Sequence, residues 1–109
     1  MVLEFSDWQG VELKSAIIME AEDIEGKDKL YKLIVDIGEE QSRTLVAGIK
    51  PWYPKEELKG KRIIVVANLK PAKFAGIESN GMLLAISDKE GKPVFLTTEE
   101  EVAPGKRVE

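Results

Sequence analysis

The chain has 109 residues, 43% hydrophobic and 33% charged, with a net charge of −4 and neither cysteine nor histidine. Its length fits one domain over residues 1–109, and the missing residue types exclude disulfides, the usual zinc sites and a Ser-His-Asp triad. No apolar stretch approaches the ~20 residues of a membrane span and no signal peptide opens the chain, so a cytoplasmic protein without cofactor or metal is expected.

The first half of the chain predicts a short helical turn followed by strands. Alternation of apolar and polar residues marks two strands, the second with one clearly apolar face. A polar segment that contains Gly26 is expected to be a loop between them. In chain order the predicted elements are a capped helical turn at Ser6–Gly10, a strand at Val11–Ala21, a loop at Asp23–Asp28, a strand at Leu30–Ile37, a turn at Gly38–Ser42 and a third strand from Thr44.

The second half opens with two prolines that forbid regular pairing. Pro54 suits the first turn of a short helix through Leu58, and the β-branched run Arg62–Ala67 predicts a strand buried on both faces. Asn80–Gly81 is a strong tight-turn signal. The remaining predicted elements are a fifth strand at Met82–Ile86, a turn at Asp88–Lys92, a short strand at Val94–Leu96 and a brief helical turn from the capping-box spacing of Thr98 and Glu101.

Short strands at regular spacing with almost no helix predict an all-β barrel or sandwich. A short helix between the third and fourth strands is what a five-stranded OB-fold barrel places there. The residues therefore predict an all-β barrel with short helical turns, and the place of the short helix favours the OB type.

Charge is distributed unevenly along the sequence. Residues 41–73 hold eight bases and two acids, a net charge of +6, and the rest of the chain carries −10. Such a bipolar molecule can offer a phosphate-binding face while staying soluble. The alternative is that the lysines are scattered over the surface, and the charge pattern alone does not decide between the two.

Several stretches resemble one family, the tRNA-binding domain appended to methionyl-tRNA synthetases. Its relatives include a free-standing structure-specific tRNA-binding protein and a small dimeric secretion chaperone. The similarity runs from about Asp7 to Val108 and looks strongest to the C-terminal domain, or β subunit, of archaeal-type enzymes. The matching stretches are Asp28–Leu30, Thr44–Ile49, Glu57–Lys61 and, the longest, Val65–Ala85.

The resemblance implies an OB barrel with extra terminal segments through which two copies pair, and a tRNA held at its elbow by shape. It also implies that the chain is a non-catalytic module that increases tRNA affinity, with tRNA, a second copy and a methionyl-tRNA synthetase catalytic subunit as partners. Phe5, Trp8 and Phe95 are the apolar residues expected in the homodimer interface, although packing within one barrel would also explain them.

Asn68, Lys70 and Lys73 are the first candidate tRNA-binding residues. Pro71 biases Lys70 toward an extended backbone, so the two ammonium groups would be held out on a loop where lysine serves as a point charge for phosphate. Asn68 can both donate and accept, which suits a 2′-hydroxyl or a base edge. Solvated lysines and an asparagine that satisfies a turn are the alternative.

Five further residues complete the candidate set. Ser79 could bond phosphate and Met82 could offer a soft apolar surface to a base, unless Met82 belongs to the core. Lys29, Lys32 and Arg43 lie on or beside the second and third strands, the usual nucleic-acid face of OB barrels. Against this, the acid at position 28 could simply pair with Lys29.

Alternative functions remain at this point. A protein-binding chaperone of the secretion type would need an exposed apolar groove at a dimer seam. No residue set supports an enzyme. Trp52 and Tyr53 could stack on bases or close one end of the barrel, and the scarcity of strand aromatics favours recognition of a folded partner over a single strand.

Overall fold

The computed structural model describes all 109 residues, and its strands account for most of the regular structure. Five strands form one antiparallel sheet in the order β3-β2-β1-β4-β7, and β5–β6 and β8–β9 form two separate two-stranded units. The elements are α1 (Phe5–Gln9), β1 (Leu13–Ile24), β2 (Lys27–Asp36), β3 (Arg43–Ala47), α2 (Lys55–Leu58), β4 (Arg62–Val66), β5 (Ala72–Phe74), β6 (Ile77–Ser79), β7 (Met82–Leu83), β8 (Ala85–Ser87) and β9 (Pro93–Phe95).

Alternating side chains on the strands build the barrel interior. On β2, Tyr31, Leu33 and Val35 are at most 4% exposed, while the residues between them are half-buried. On β4, by contrast, Ile63–Val66 are all buried, as the β-branched run predicted. The predicted five-stranded, OB-type all-β fold is confirmed.

Two polar contacts close the barrel along the free edge of β3. The backbone N–H of Asn80 donates to the carbonyl of Thr44 over 2.8 Å. The N–H of Val46 donates to the hydroxyl of Ser79 over 3.0 Å. The edge of β3 is thereby paired with the chain that follows β6, which leaves few unpaired backbone groups at the seam.

The structure differs from the sequence-based elements at several places. The predicted fifth strand, Met82–Ile86, is in fact two strands, β7 and β8, that belong to different sheets. The predicted loop at Asp23–Asp28 is a continuous hairpin, in which only Glu25 and Gly26 form the turn. Polar side chains dominate there because the strand ends project into solvent, so the apolar alternation fades although the pairing continues. The helical turn predicted from Thr98 is absent, and its hydroxyl donates instead to the carbonyl of Glu100.

The two ends of the chain lie side by side along β1. The N–H of Val108 donates to the carbonyl of Leu13, and the N–H of Ser15 to that of Lys106. Where this C-terminal segment crosses the end of β2, a side-chain carbon added to Gly105 would lie 2.7 Å from the carbonyl oxygen of Ile37. Neither helix has the length and apolar composition that crossing a bilayer requires.

Candidate nucleic-acid interface

Between β4 and β7 the chain leaves the barrel as a short hairpin, residues 68–79, which we call the arm. It contains β5, β6 and a tight turn at Ala75 and Gly76, both with positive φ (53° and 79°). The sequence placed the tight turn at Asn80–Gly81, but that dipeptide joins β6 to β7, which pair with different strands. No hydrogen bond or ion pair joins residues 69–77 to the barrel, so the arm depends on its roots for support.

Asn68 sits at the first root and is used inside the protein. Its Oδ1 accepts from the N–H of Glu12 over 3.0 Å, and its Nδ2 donates to the carbonyl of Gly10 over 2.7 Å. The side chain therefore ties the N-terminal segment to the end of β4. The structure places the predicted RNA ligand in a supporting role, although the residue is exposed enough to keep one free N–H.

Arg43 links both roots of the arm. Its Nη1 donates to the carbonyls of Ala67, at 2.5 Å, and Asn80, at 3.4 Å. Its Nε and Nη2 donate to the two carboxylate oxygens of Glu39, at 2.9 and 2.8 Å. These hydrogen bonds hold the pKa of Glu39 below its usual range and raise that of Arg43. One guanidinium N–H remains for any outside partner.

Ser79 completes the anchoring of the arm. It is only 4% exposed, and its Oγ accepts from the N–H of Val46 and donates to the carbonyl of Gly81. This hydroxyl is buried and already both donates and accepts a hydrogen bond within the barrel seam, so it is not free to bind a phosphate.

The lysines of the candidate set differ in how free they are. Lys70 and Lys73, on the arm, and Lys29, on β2, are exposed and lie in no ion pair. Lys32 lies 3.7 Å from Glu22, a partly exposed pair of the kind that contributes little. Within the candidate set, the lysines without an ion pair are therefore the two on the arm and Lys29 near the start of β2.

Strand register places Lys32 next to the arm and separates Lys29 from Arg43. Lys32 is directly opposite Val46, whose N–H is bonded to Ser79 on the arm. Arg43 is opposite Val35, near the far end of β2, whereas Lys29 is beside the start of that strand. The structure therefore brings Lys32 of β2 and Val46 of β3 close to the root of the arm at Ser79, whereas Lys29 and Arg43 lie on the other face of the sheet.

Met82 is 48% exposed, which agrees with a surface role and not with a place in the core. It lies at a shallow groove between the end of β3 and the start of β7–β8. Apolar residues dominate the lining, which consists of Val46, Ala47, Gly48, Ile49, Met82, Leu83, Ala85 and Pro93.

The positive stretch of the sequence is partly neutralised by folding. Lys50 and Lys55 both contact Asp23, at 3.1 and 2.7 Å, and hydrogen bonds from Lys55 and then Lys50 lower the pKa of that carboxylate. Lys59 lies 3.7 Å from Glu20. Acids of β1 thus match three of the six cations of this stretch that lie outside the arm, and Arg43 and Arg62 pair with Glu39 and Glu101. Of these six only Lys61 is in no ion pair, whereas both lysines of the arm are unpaired.

The aromatic candidates Trp52, Tyr53 and Phe95 differ in how deeply they are buried. Tyr53 is buried and stacks on Phe95 with ring centroids 4.7 Å apart, so these two rings close one end of the barrel. Trp52 is 41% exposed beside them. No group of three or more acidic side chains is arranged to hold a metal ion.

A protein-family model described as "Putative tRNA binding domain" matches residues 13–107 of the chain. The sequence is 50% identical over 106 residues to a methionine–tRNA ligase of Archaeoglobus fulgidus, covering 97% of this chain and 16% of that protein. The chain therefore spans about one sixth of the curated relatives that it matches.

Solved structures share the whole fold. A methionyl-tRNA-synthetase-related (MetRS-related) protein from Pyrococcus horikoshii is 42% identical with a TM-score of 0.89, over 99% of this chain and 98% of that one. The chaperone CsaA from Bacillus anthracis also gives a TM-score of 0.89, at 26% identity, with both chains covered completely.

Proposed function

Since the chain belongs to the tRNA-binding domain family, a non-catalytic binding module, we propose that it binds folded tRNA through the arm and the adjoining face of β2 and β3. The observation that carries this proposal is the pair of exposed, unpaired lysines, Lys70 and Lys73, on a hairpin anchored at both roots. Residues 1–109 act as one binding domain.

Affinity in this proposal comes mainly from phosphates. An ammonium without a carboxylate partner gives up only water and counterions when it meets a phosphate, so Lys70 and Lys73 bind at low cost. Lys29 and Lys32 extend the contact along β2, and Met82 offers an apolar surface beside β3. Arg43, Asn68 and Ser79 contribute by fixing the arm, because their polar atoms are engaged in the protein.

Preference for folded tRNA follows from the fixed geometry of these contacts. The arm projects from one edge of a rigid barrel, so its cations and those of β2 face phosphates that must come close together in space. A bent, folded polyanion meets that requirement without further ordering, whereas an unfolded RNA must lose conformational entropy to do so.

The biological role supported by the relatives is assistance to a methionyl-tRNA synthetase, as a β subunit or an appended C-terminal domain, in the cytoplasm. Identities of 41–50% to the matching region of methionine–tRNA ligases support this role. In it, the domain raises the effective concentration of tRNA near the catalytic subunit.

Two copies pair through the terminal segments in this proposal. Phe5 is 70% exposed and Trp8 37%, and with Val11 and Val108 they line an apolar hollow beside the chain ends. A symmetric dimer would cover this surface. Phe95 is not part of it, since that ring is stacked on Tyr53. Sedimentation at two concentrations measures the assembly, and a monomer at both would contradict it.

The test of tRNA binding is a titration with folded tRNA, heat-unfolded tRNA and a single-stranded RNA across several salt concentrations. Each phosphate contact contributes roughly 0.7–0.9 to the slope of log K against log salt. The double variant Lys70→Ala, Lys73→Ala is expected to weaken binding and to reduce the magnitude of the slope by about 1.4–1.8. The matched control is Lys89→Ala, Lys106→Ala, which removes the same charge from exposed positions outside the arm.

Equal losses in both double variants would mean that net charge, and not the arm, drives binding. Binding without salt dependence, or without preference for folded tRNA, would contradict the proposed function itself.

Protein binding is the second candidate function, favoured by the likeness to the chaperone CsaA and by the apolar groove at Met82. Under this alternative an unfolded peptide would occupy the groove and tRNA would not compete for it. A fluorescent unfolded peptide displaced by tRNA, or not bound at all, would contradict the alternative.

A further inference from the structure

The arm carries one aromatic side chain that the lysine contacts leave unused. Phe74 is the last residue of β5, directly before the turn at Ala75 and Gly76, and it is 48% exposed. About half of the phenyl ring is therefore available to a partner, which would gain free energy by covering its apolar surface.

Strand register fixes which way the ring points. Directly opposite residues share a face, so Phe74 and Ile77 lie on the same face as Ala72 and Ser79. Because Ser79 on that face is bonded to Val46, the ring extends the β3-facing side of the arm beyond the barrel. Lys73 lies on the opposite face of the hairpin.

The surroundings of the ring specify the chemistry of its partner. Glu78 is the only acid between positions 68 and 87, and Lys70 and Lys73 are unpaired. A partner that buries the ring also approaches a hairpin that carries two unpaired cations, which fits a flat apolar surface joined to an anionic backbone long enough to reach them. A nucleobase attached to its phosphate has both properties.

A single ring fits a single base. Proteins that bind single strands usually present several aromatics along the sheet, and Phe74 is the one aromatic on the arm. Folded RNA displays individual base faces at its loops, and such faces are where aromatic side chains stack.

From these observations we propose that Phe74 stacks on one exposed nucleobase face of the bound RNA while the arm's lysines contact the adjoining phosphates. This inference rests on the proposed function and adds to it a specificity-determining residue. Stacking involves no phosphate, so it contributes to affinity but not to the salt slope.

The experiment is a titration of folded tRNA transcript against four variants of the full chain. Phe74→Ala and Phe74→Leu are each expected to weaken binding about tenfold or more, because neither side chain stacks. Phe74→Trp is expected to bind within a few-fold of the parent and to lose fluorescence on binding, over and above any change in the parent's two tryptophans. Ile86→Ala, which truncates a 67% exposed residue off the arm, is the control and should change nothing.

Unaltered binding by Phe74→Leu would overturn the proposal, since a merely apolar contact would then suffice. A loss in Phe74→Ala accompanied by a lower salt slope would also overturn it, because the ring would then act by placing the lysines. Failure of the proposed function is seen separately, in the parent protein, as absent or salt-independent binding of folded tRNA.

Discussion

Replacing Arg43 with methionine tests whether this side chain supports the arm or contacts RNA. Four of its five N–H groups are donated inside the protein, two to Glu39 and one each to the carbonyls of Ala67 and Asn80. Methionine keeps an unbranched stem of similar length but donates no hydrogen bond.

The expected loss of stability follows from how exposed each partner is. The Glu39 side chain is 40% exposed and can be hydrated again, so its ion pair contributes only about 0–1 kcal/mol. Ala67 is 6% exposed, so its carbonyl loses a charged donor that water cannot readily replace, at about 1.5–3 kcal/mol. The total is about 1.5–4 kcal/mol, which lowers the Tm of a domain this size by roughly 4–8 °C for each kcal/mol.

Thermal unfolding measures the loss of stability, and titration with tRNA at several salt concentrations measures the loss of affinity. Lys89→Met is the control for both. Arg43→Met is expected to lower the Tm, weaken tRNA binding and leave the salt slope as in the parent. An unchanged Tm with a salt slope reduced by about 0.7–0.9 would refute the reasoning, because it would mean that Arg43 contacts a phosphate.

Three further predictions concern stability. Gly105→Ala should lower the free energy of unfolding in urea by about 1–3 kcal/mol more than Gly91→Ala does. The two glycines have similar φ angles, 89° and 86°, but only a side chain at position 105 would collide with another backbone segment, and equal losses would contradict this. Arg43 lowers the pKa of Glu39 in the folded protein, so the pair stabilises the fold fully above the ordinary carboxyl pKa of 4.5 and loses this stabilisation as the pH falls through the lowered pKa. Glu39→Gln should therefore reduce the loss of stability between about pH 6 and pH 3, and a pH profile identical to that of the parent would disprove this. Ser79→Ala should destabilise by about 1–3 kcal/mol and keep the salt slope, and a lower slope at parental stability would contradict the anchoring role.

The barrel was predictable from sequence because its signals are local. The alternation along β2 and the β-branched run of β4 both reflect burial, and Pro54 with Gly60 bounded the short helix α2. The hairpin of the arm was missed because three-residue strands are too short to show a period. The Asn80–Gly81 signal then drew the expected turn five residues too far along.

Roles within the candidate site were harder to predict for a different reason. Arg43, Asn68 and Ser79 all bond to main-chain carbonyl or N–H groups that are distant along the chain. Main-chain groups are present at every residue, so their pairing with a side chain leaves no mark in the sequence. Lysine pairing is similar, since the acids that neutralise Lys50 and Lys55 come from another strand.

In the arm, the residues that anchor it are separate from the exposed residues of its tip, and this separation has a consequence for engineering. The groups that fix it lie at its roots and on β3, whereas residues 69–77 make no hydrogen bond or ion pair with the barrel. Under the proposed function, substitutions of the exposed side chains in that tip act on RNA contacts and leave the anchoring hydrogen bonds unchanged. The barrel is thus a scaffold on which an interchangeable tip could be varied in a library, to obtain binders for other RNA shapes while Arg43 and Ser79 stay constant.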